Sequence, residues 1–160
     1  MQQYTNEITS DLSDSLKNPF PAERWANVEA EELKVLHSHV EEMKARSLLE
    51  IWRFATTGAL TRDGGKIERA STNDSFILSD GTKGSHAMVG DYVIYPDVTR
   101  ARIVSGSGSV ATCNGVSYAL VGSLLDNGDV IVSTPQDLTL LCQWDNSPAM
   151  PADFLAPVSL

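Results

Sequence analysis

Ala87-Met88-Val89-Gly90 returns 32 residues later as Ala119-Leu120-Val121-Gly122, and Gly58 stands another 32 residues before Gly90. Each glycine is followed by a polar turn and then an isoleucine strand: Lys66-Ile67-Glu68, Arg102-Ile103-Val104 and Val130-Ile131-Val132. Ile67 and Ile131 share one offset from their glycines. Ile103 lies four residues later, as the longer turn through Tyr95 to Arg100 requires. Short β units that repeat in this way bury their apolar faces only by stacking on one another. The spacing therefore predicts a mainly β fold, a small cone of three repeated short-strand units with pseudo-threefold symmetry. A barrel or a β-sandwich is the alternative.

Outward from the repeat, the two ends of the chain read differently. All eleven glycines lie from Gly58 onward, and the runs between them are short and β-branched. Strands are expected over Ser75–Leu78, Tyr92–Tyr95, Arg102–Val104, Ser109–Thr112, Ser117–Val121, Val130–Ser133 and Leu138–Trp144, with turns at Gly, Asp and Asn. Upstream, Asp11–Lys17 is a short helical stretch punctuated by Pro19 and Pro21. From Ala22 to about Phe54 there is no glycine or proline, and Trp25, Val28, Leu36, Val40 and Met43 recur at helical spacing. The organisation expected is a helical extension over 1–54, a β body over 55–136, and a last strand with an irregular, proline-bearing tail over 137–160.

Composition removes several classes of function. Twenty-one acidic against twelve basic side chains leave a net charge of -9, which repels polyphosphate, so no nucleic-acid partner is expected. No run reaches the length of a membrane span, and stable membrane insertion is not expected. Cys113 and Cys142 are too few for a disulfide framework. The chain lacks His-Glu-x-x-His, the phosphate-binding Gly-x-x-x-x-Gly-Lys and Gly-x-Ser-x-Gly. His37 and His39 are two residues apart and do not share a helix face. His86 precedes the Ala-Met-Val-Gly segment and reads as an isolated histidine. No catalytic residue and no enzymatic activity are expected.

Thr61-Arg62-Asp63-Gly64-Gly65, Ala87-Met88-Val89-Gly90-Asp91, Tyr95-Pro96-Asp97, Gly115–Gly122 and Asn127-Gly128-Asp129-Val130-Ile131 follow one another in an order that resembles the PAAR family. Its members are small conical proteins that cap the trimeric spike of type VI secretion systems and related contractile injection machines. The resemblance covers about half of the chain. It implies a non-enzymatic spike-tip protein that caps a trimeric VgrG-like spike, sharpens it for membrane puncture and couples an effector or its chaperone. It also implies a chain made in the bacterial cytoplasm and exported by the machine without a signal peptide. The alternative is a small acidic immunity protein or inhibitor of a partner toxin.

The same resemblance suggests where to look on the chain. Asp63, Gly64, Gly65, Tyr95, Pro96, Asp97, Asn127, Gly128 and Asp129 are the turn residues expected at the apex. Gly58, Met88, Val89, Gly90, Leu120, Val121, Gly122 and Ile131 are expected in the repeat core or at a spike-binding base. Trp25, Val28, Leu36, Val40 and Met43 are the candidates for partner binding on the helical arm, which would serve as brace or adaptor. Family members hold zinc through histidines and a cysteine; here Asp63 and Tyr95 stand at two of those places, so neither metal nor cofactor is expected. Asp63, Asp97 and Asp129 are read as turn-capping carboxylates, the alternative being an oxygen-rich site for a hard cation.

Overall fold

The computed structural model describes residues 1–18 and 29–160. The chain forms two compact units. One comprises Met1–Asn6, Trp52–Leu141 and Ala149–Leu160; the other comprises Glu7–Ile51 and Cys142–Pro148.

The second unit carries the helices. Helix α1, Ser10–Lys17, is capped by Thr9, whose hydroxyl accepts the Leu12 amide at 3.2 Å, and it places Asp11 in its first turn and Lys17 in its last. Helix α2, Ala30–Lys44, buries Leu36 and Val40, four residues apart on one face. Trp25 and Val28 lie outside the described residues. The helix expected to continue to Phe54 ends at Lys44, and Leu48–Arg53 is strand β1, paired with β10, Leu140–Trp144. Leu-Leu-Glu-Ile-Trp-Arg has acceptable helix formers, but a partner strand far along the chain outweighs so weak a local preference. Among the described residues no helix is long and apolar enough to cross a membrane.

The first unit is built from short ribbons. Strand β2 (Leu60–Thr61) pairs with β9 (Ile131–Ser133), and β3 (Phe76–Ile77) with β4 (Lys83–Gly84). Strand β5 (Tyr92–Ile94) pairs with β6 (Arg100–Arg102), and β7 (Thr112–Cys113) with β8 (Val116–Ser117). All four pairs are antiparallel. Ser109 and Val110, expected in a strand over Ser109–Thr112, lie in a single 3-10 turn, Gly108–Val110. The tail beyond Trp144 is irregular, as its prolines suggest, and it is fastened where Leu155 and Val158 donate their amides to the Gly106 and Val104 carbonyls at 2.8 Å.

This architecture corrects the fold expected from the repeat. The chain is mixed α/β; among the described residues there are five separate two-stranded sheets, none of them closed or curled into a cone, and these sheets have no pseudo-threefold arrangement. The repeat has a local meaning instead. Gly58, Gly90 and Gly122 donate to the carbonyls of Ile67, Ile103 and Ile131 at 2.7–2.8 Å. Each glycine occupies the third position of a tight turn, with φ of +90°, +99° and +105°, a conformation that favours a residue without Cβ. The preceding alanines are bonded to one another: Ala55 donates to Ala119, Ala119 to Ala87 and Ala87 to Ala55, each at 2.9 Å. All three are fully buried. Short recurring words thus encode the turns, and their alanines bond one copy to another across 32 and 64 residues, while the strand pairing differs from one copy to the next.

The core gathers these alanines with Ala59, Ile67, Val93, Ala101, Ile103, Val121, Leu125 and Ile131. Period-two alternation is visible where β5 meets β6. Val93 and Ala101 face each other inward, while Tyr92, Ile94, Arg100 and Arg102 point away from the core.

Candidate functional site

Three hairpin tips carry the turn residues singled out from the sequence: Thr61–Gly65, Tyr95–Thr99 and Leu125–Asp129. Each is closed by the same backbone bond, in which Thr61, Tyr95 and Leu125 donate to the carbonyls of Gly65, Thr99 and Asp129 at 2.9–3.0 Å. The first and third tips meet through Asp129, which is fully buried. Its Oδ1 accepts the amides of Val130 at 2.8 Å and Asp63 at 3.2 Å, and its Oδ2 accepts the Tyr95 hydroxyl at 2.6 Å. Asn127 donates from Nδ2 to the same Tyr95 oxygen at 3.0 Å, which ties in the second tip. Burial pushes the Asp129 carboxyl up, but the hydrogen bonds from Thr61, Tyr95, Val130 and Asp63 outweigh it and leave its pKa below the usual range. Burial and the neighbouring Asp129 together raise the Tyr95 phenol.

The other tip residues have separate tasks. Arg62 holds the exposed Asp63 carboxylate in two bonds of 3.0 and 3.1 Å. Asp97 takes the Thr99 amide and hydroxyl at 3.1 and 2.5 Å, so it caps its own turn beside Pro96. Gly64 and Gly128 adopt φ of +92° and +86°, and Gly65 packs where a Cβ would lie 2.2 Å from Val93 Cγ1. The structure brings Asp63, Tyr95, Asn127 and Asp129 together and leaves Asp97 apart from them in this bonding. Among the described residues no group of three or more His, Cys, Asp or Glu side chains is placed to hold a metal ion.

The residues expected in the repeat core or base sit largely inside. Met88, Leu120, Val121 and Ile131 are at most 4% exposed, and Val89 is half-buried beside Gly106. Of the arm candidates within the described residues, Leu36 and Val40 are buried and Met43 is half-buried.

One arrangement escaped the sequence reading. His86 is bonded through Nδ1 to Asp74 Oδ2 and through Nε2 to Thr139 Oγ1, the latter at 3.1 Å. Asp74 Oδ1 also accepts the Thr72 hydroxyl at 2.7 Å and the His86 amide at 3.0 Å. Burial pushes the Asp74 carboxyl up, and its bonds from Thr72 and His86 bring it below the usual range. Carboxylate, imidazole and hydroxyl in this order form the relay that activates a nucleophile. The surroundings set it to another use. Phe76, Phe54 and Tyr118 enclose the imidazole at centroid distances of 4.7, 5.7 and 5.7 Å. The cavity of about 420 Å³ beside Asp74 is lined by Thr72, Cys113 and Tyr118 among others, and neither His86 nor Thr139 reaches its wall. The Thr139 backbone is clamped as well: Gln136 accepts its amide at 2.9 Å and donates to its carbonyl at 3.0 Å. Asp74, His86 and Thr139 are separated by 12 and 53 residues, with no motif spacing to join them in the sequence.

Comparison with family models, curated proteins and solved structures finds no match. The resemblance to the PAAR family is therefore corrected, since five separate ribbons replace the cone on which it depended. The spike-tip role, membrane puncture and VgrG binding lose their basis with it, and the immunity-protein alternative gains no support from any relative.

Proposed function

We propose that this chain works by binding and carries out no covalent chemistry. One observation supports this above the rest: the relay-like set Asp74–His86–Thr139 is spent on fastening three separated segments, with Phe54, Phe76 and Tyr118 around the imidazole and Gln136 holding the Thr139 backbone. Other polar groups suited to catalysis are spent likewise. Asp129 serves two amides and a phenol, and Asp91 Oδ2 serves the amides of Ser71 and Met88 at 3.1 and 2.9 Å. A carboxylate bonded in this way orders a turn and has little freedom to move protons.

Treatment with a fluorophosphonate probe followed by peptide mass mapping tests the reading, alongside hydrolysis of activated esters. The expected result is no adduct on Thr139 and the same background hydrolysis for the chain and for His86→Ala, which loses stability. An adduct on Thr139 that disappears in His86→Ala makes the array a working nucleophile and overturns the proposal.

A further inference from the structure

In a chain of net charge -9, four cations gather on one outward face of the first unit. The registers place them. Tyr92 opposes Arg102, Ile94 opposes Arg100, and Lys66 bridges to Ile94 from the other side. Directly opposed residues project to the same face of a ribbon, and alternate residues along a strand do too. Lys66, Tyr92, Ile94, Arg100 and Arg102 therefore share one surface, while Ile67, Val93 and Ala101 fill the core behind it. Arg69 adds a fourth cation at the rim of a cavity of about 470 Å³, walled also by Tyr92, Ile94 and Arg100 and by two carboxylates, Glu68 and Asp91, of which Asp91 is bonded to the Ser71 and Met88 amides. The Arg100 and Arg102 guanidinium carbons lie 4.6 and 5.1 Å from the Tyr92 ring centroid, and Arg102 donates to the Tyr92 hydroxyl at 2.5 Å. Stacking on the ring holds both forks in place before any ligand arrives. Among the described residues none of the four cations is in an ion pair, although acidic side chains outnumber basic ones in the chain.

We propose that this face binds an extended acidic polypeptide segment with carboxylates at alternate positions. The inference rests on the binding-module reading and names the partner's chemistry. Arg100 and Arg102 are two residues apart on one strand, so their side chains leave the surface about 6.6 Å apart. Carboxylates two residues apart on an extended segment have the same spacing, and each matches the fork of one guanidinium. Tyr92 and Ile94 offer apolar contact between the charges. A nucleic-acid strand carries its charge continuously and would run beyond these four cations onto an acidic surface. A short acidic segment ends within them.

Fluorescence anisotropy of the full chain with a labelled octapeptide of alternating Glu and Ser tests the proposal. Its comparator is an octapeptide of the same composition with the four Glu residues contiguous. The alternating peptide is expected to bind more tightly and to lose affinity as salt rises. Arg100→Glu and Arg69→Glu, in a strand and a loop respectively, are each expected to weaken it about tenfold or more. Lys83→Glu changes net charge equally on another ribbon and is expected to leave binding unchanged. Four results overturn the proposal: no binding at millimolar chain, an equal loss in Lys83→Glu, tighter binding of an oligothymidine of equal length, or salt-sensitive self-association abolished by Arg100→Glu. The last assigns the face to a second copy. Each can occur while Thr139 remains unlabelled, so this inference can fail with the non-enzymatic reading intact.

Discussion

Replacing Asp129 by alanine strands three donors together: the Asp63 and Val130 amides and the Tyr95 hydroxyl. A buried donor left without an acceptor costs about 1–3 kcal/mol. Asn127 donates to the Tyr95 oxygen and does not take its proton, but Asp63 is an exposed residue whose amide can reach water, so the three penalties do not simply add. The expected loss is about 3–5 kcal/mol, a large part of the 5–15 kcal/mol that usually holds a domain together. Asp129→Asn keeps an oxygen for the two amides and turns an NH2 group toward Tyr95, whose hydroxyl then accepts; the expected cost is about 1–2 kcal/mol. Urea unfolding followed by circular dichroism measures both, and hydrogen exchange at Asp63 and Val130 locates the damage. The effect also depends on pH in a defined way. The Asp129 carboxyl titrates lower in the folded chain than in the unfolded one. Its contribution is therefore complete above the unfolded value, about 3.9, and is lost as pH falls through the folded value. Asp129→Asn should consequently flatten the acid limb of the stability profile while lowering the plateau near neutrality. A loss below about 1 kcal/mol in Asp129→Ala, with unchanged exchange at Val130, would refute the view that this carboxylate ties the tips together.

Gly106→Ala sets a Cβ 2.2 Å from the Tyr118 carbonyl oxygen and should cost about 2 kcal/mol or more, read as a lowered midpoint of unfolding. Gly90→Ala meets no atom within 4 Å and pays only for φ of +99°, about 1–2 kcal/mol, so it should be the milder of the two in the same assay. Ala119→Leu forces a larger side chain into a fully buried position of the alanine ring, with an expected loss of about 1–3 kcal/mol by thermal unfolding. Burial raises the Cys142 thiol, so alkylation by iodoacetamide near neutral pH should be slow until denaturant is added.

The turn residues were legible because turn chemistry is local. Gly64 and Gly128 need positive φ, Asp97 folds back on Thr99, and both requirements act within a few residues of chain. Asp129 could be named as a turn aspartate, but its role as the acceptor joining distant tips could not, because Asp63 lies 66 residues away. Asp74–His86–Thr139 is the sharper case. Each member is an ordinary residue in its own segment, and only tertiary proximity turns the three into one bonded array. The helix expected through Leu48–Arg53 failed for a related reason: pairing with β10 supplies hydrogen bonds that local propensity does not foresee.

From its sequence alone the chain is globular and acidic, with its glycine turns confined to the part beyond Gly58, and these properties follow from residue chemistry and short-range sterics. Tertiary structure decided the rest: which ribbons pair, that they remain five separate sheets, where the carboxylates spend their lone pairs, and that Lys66, Arg100 and Arg102 share a face with Tyr92. A repeated tetrapeptide specifies the turn it makes. The partner strand depends on closing loops of tens of residues, where the balance between loop entropy and buried area is struck by the whole chain.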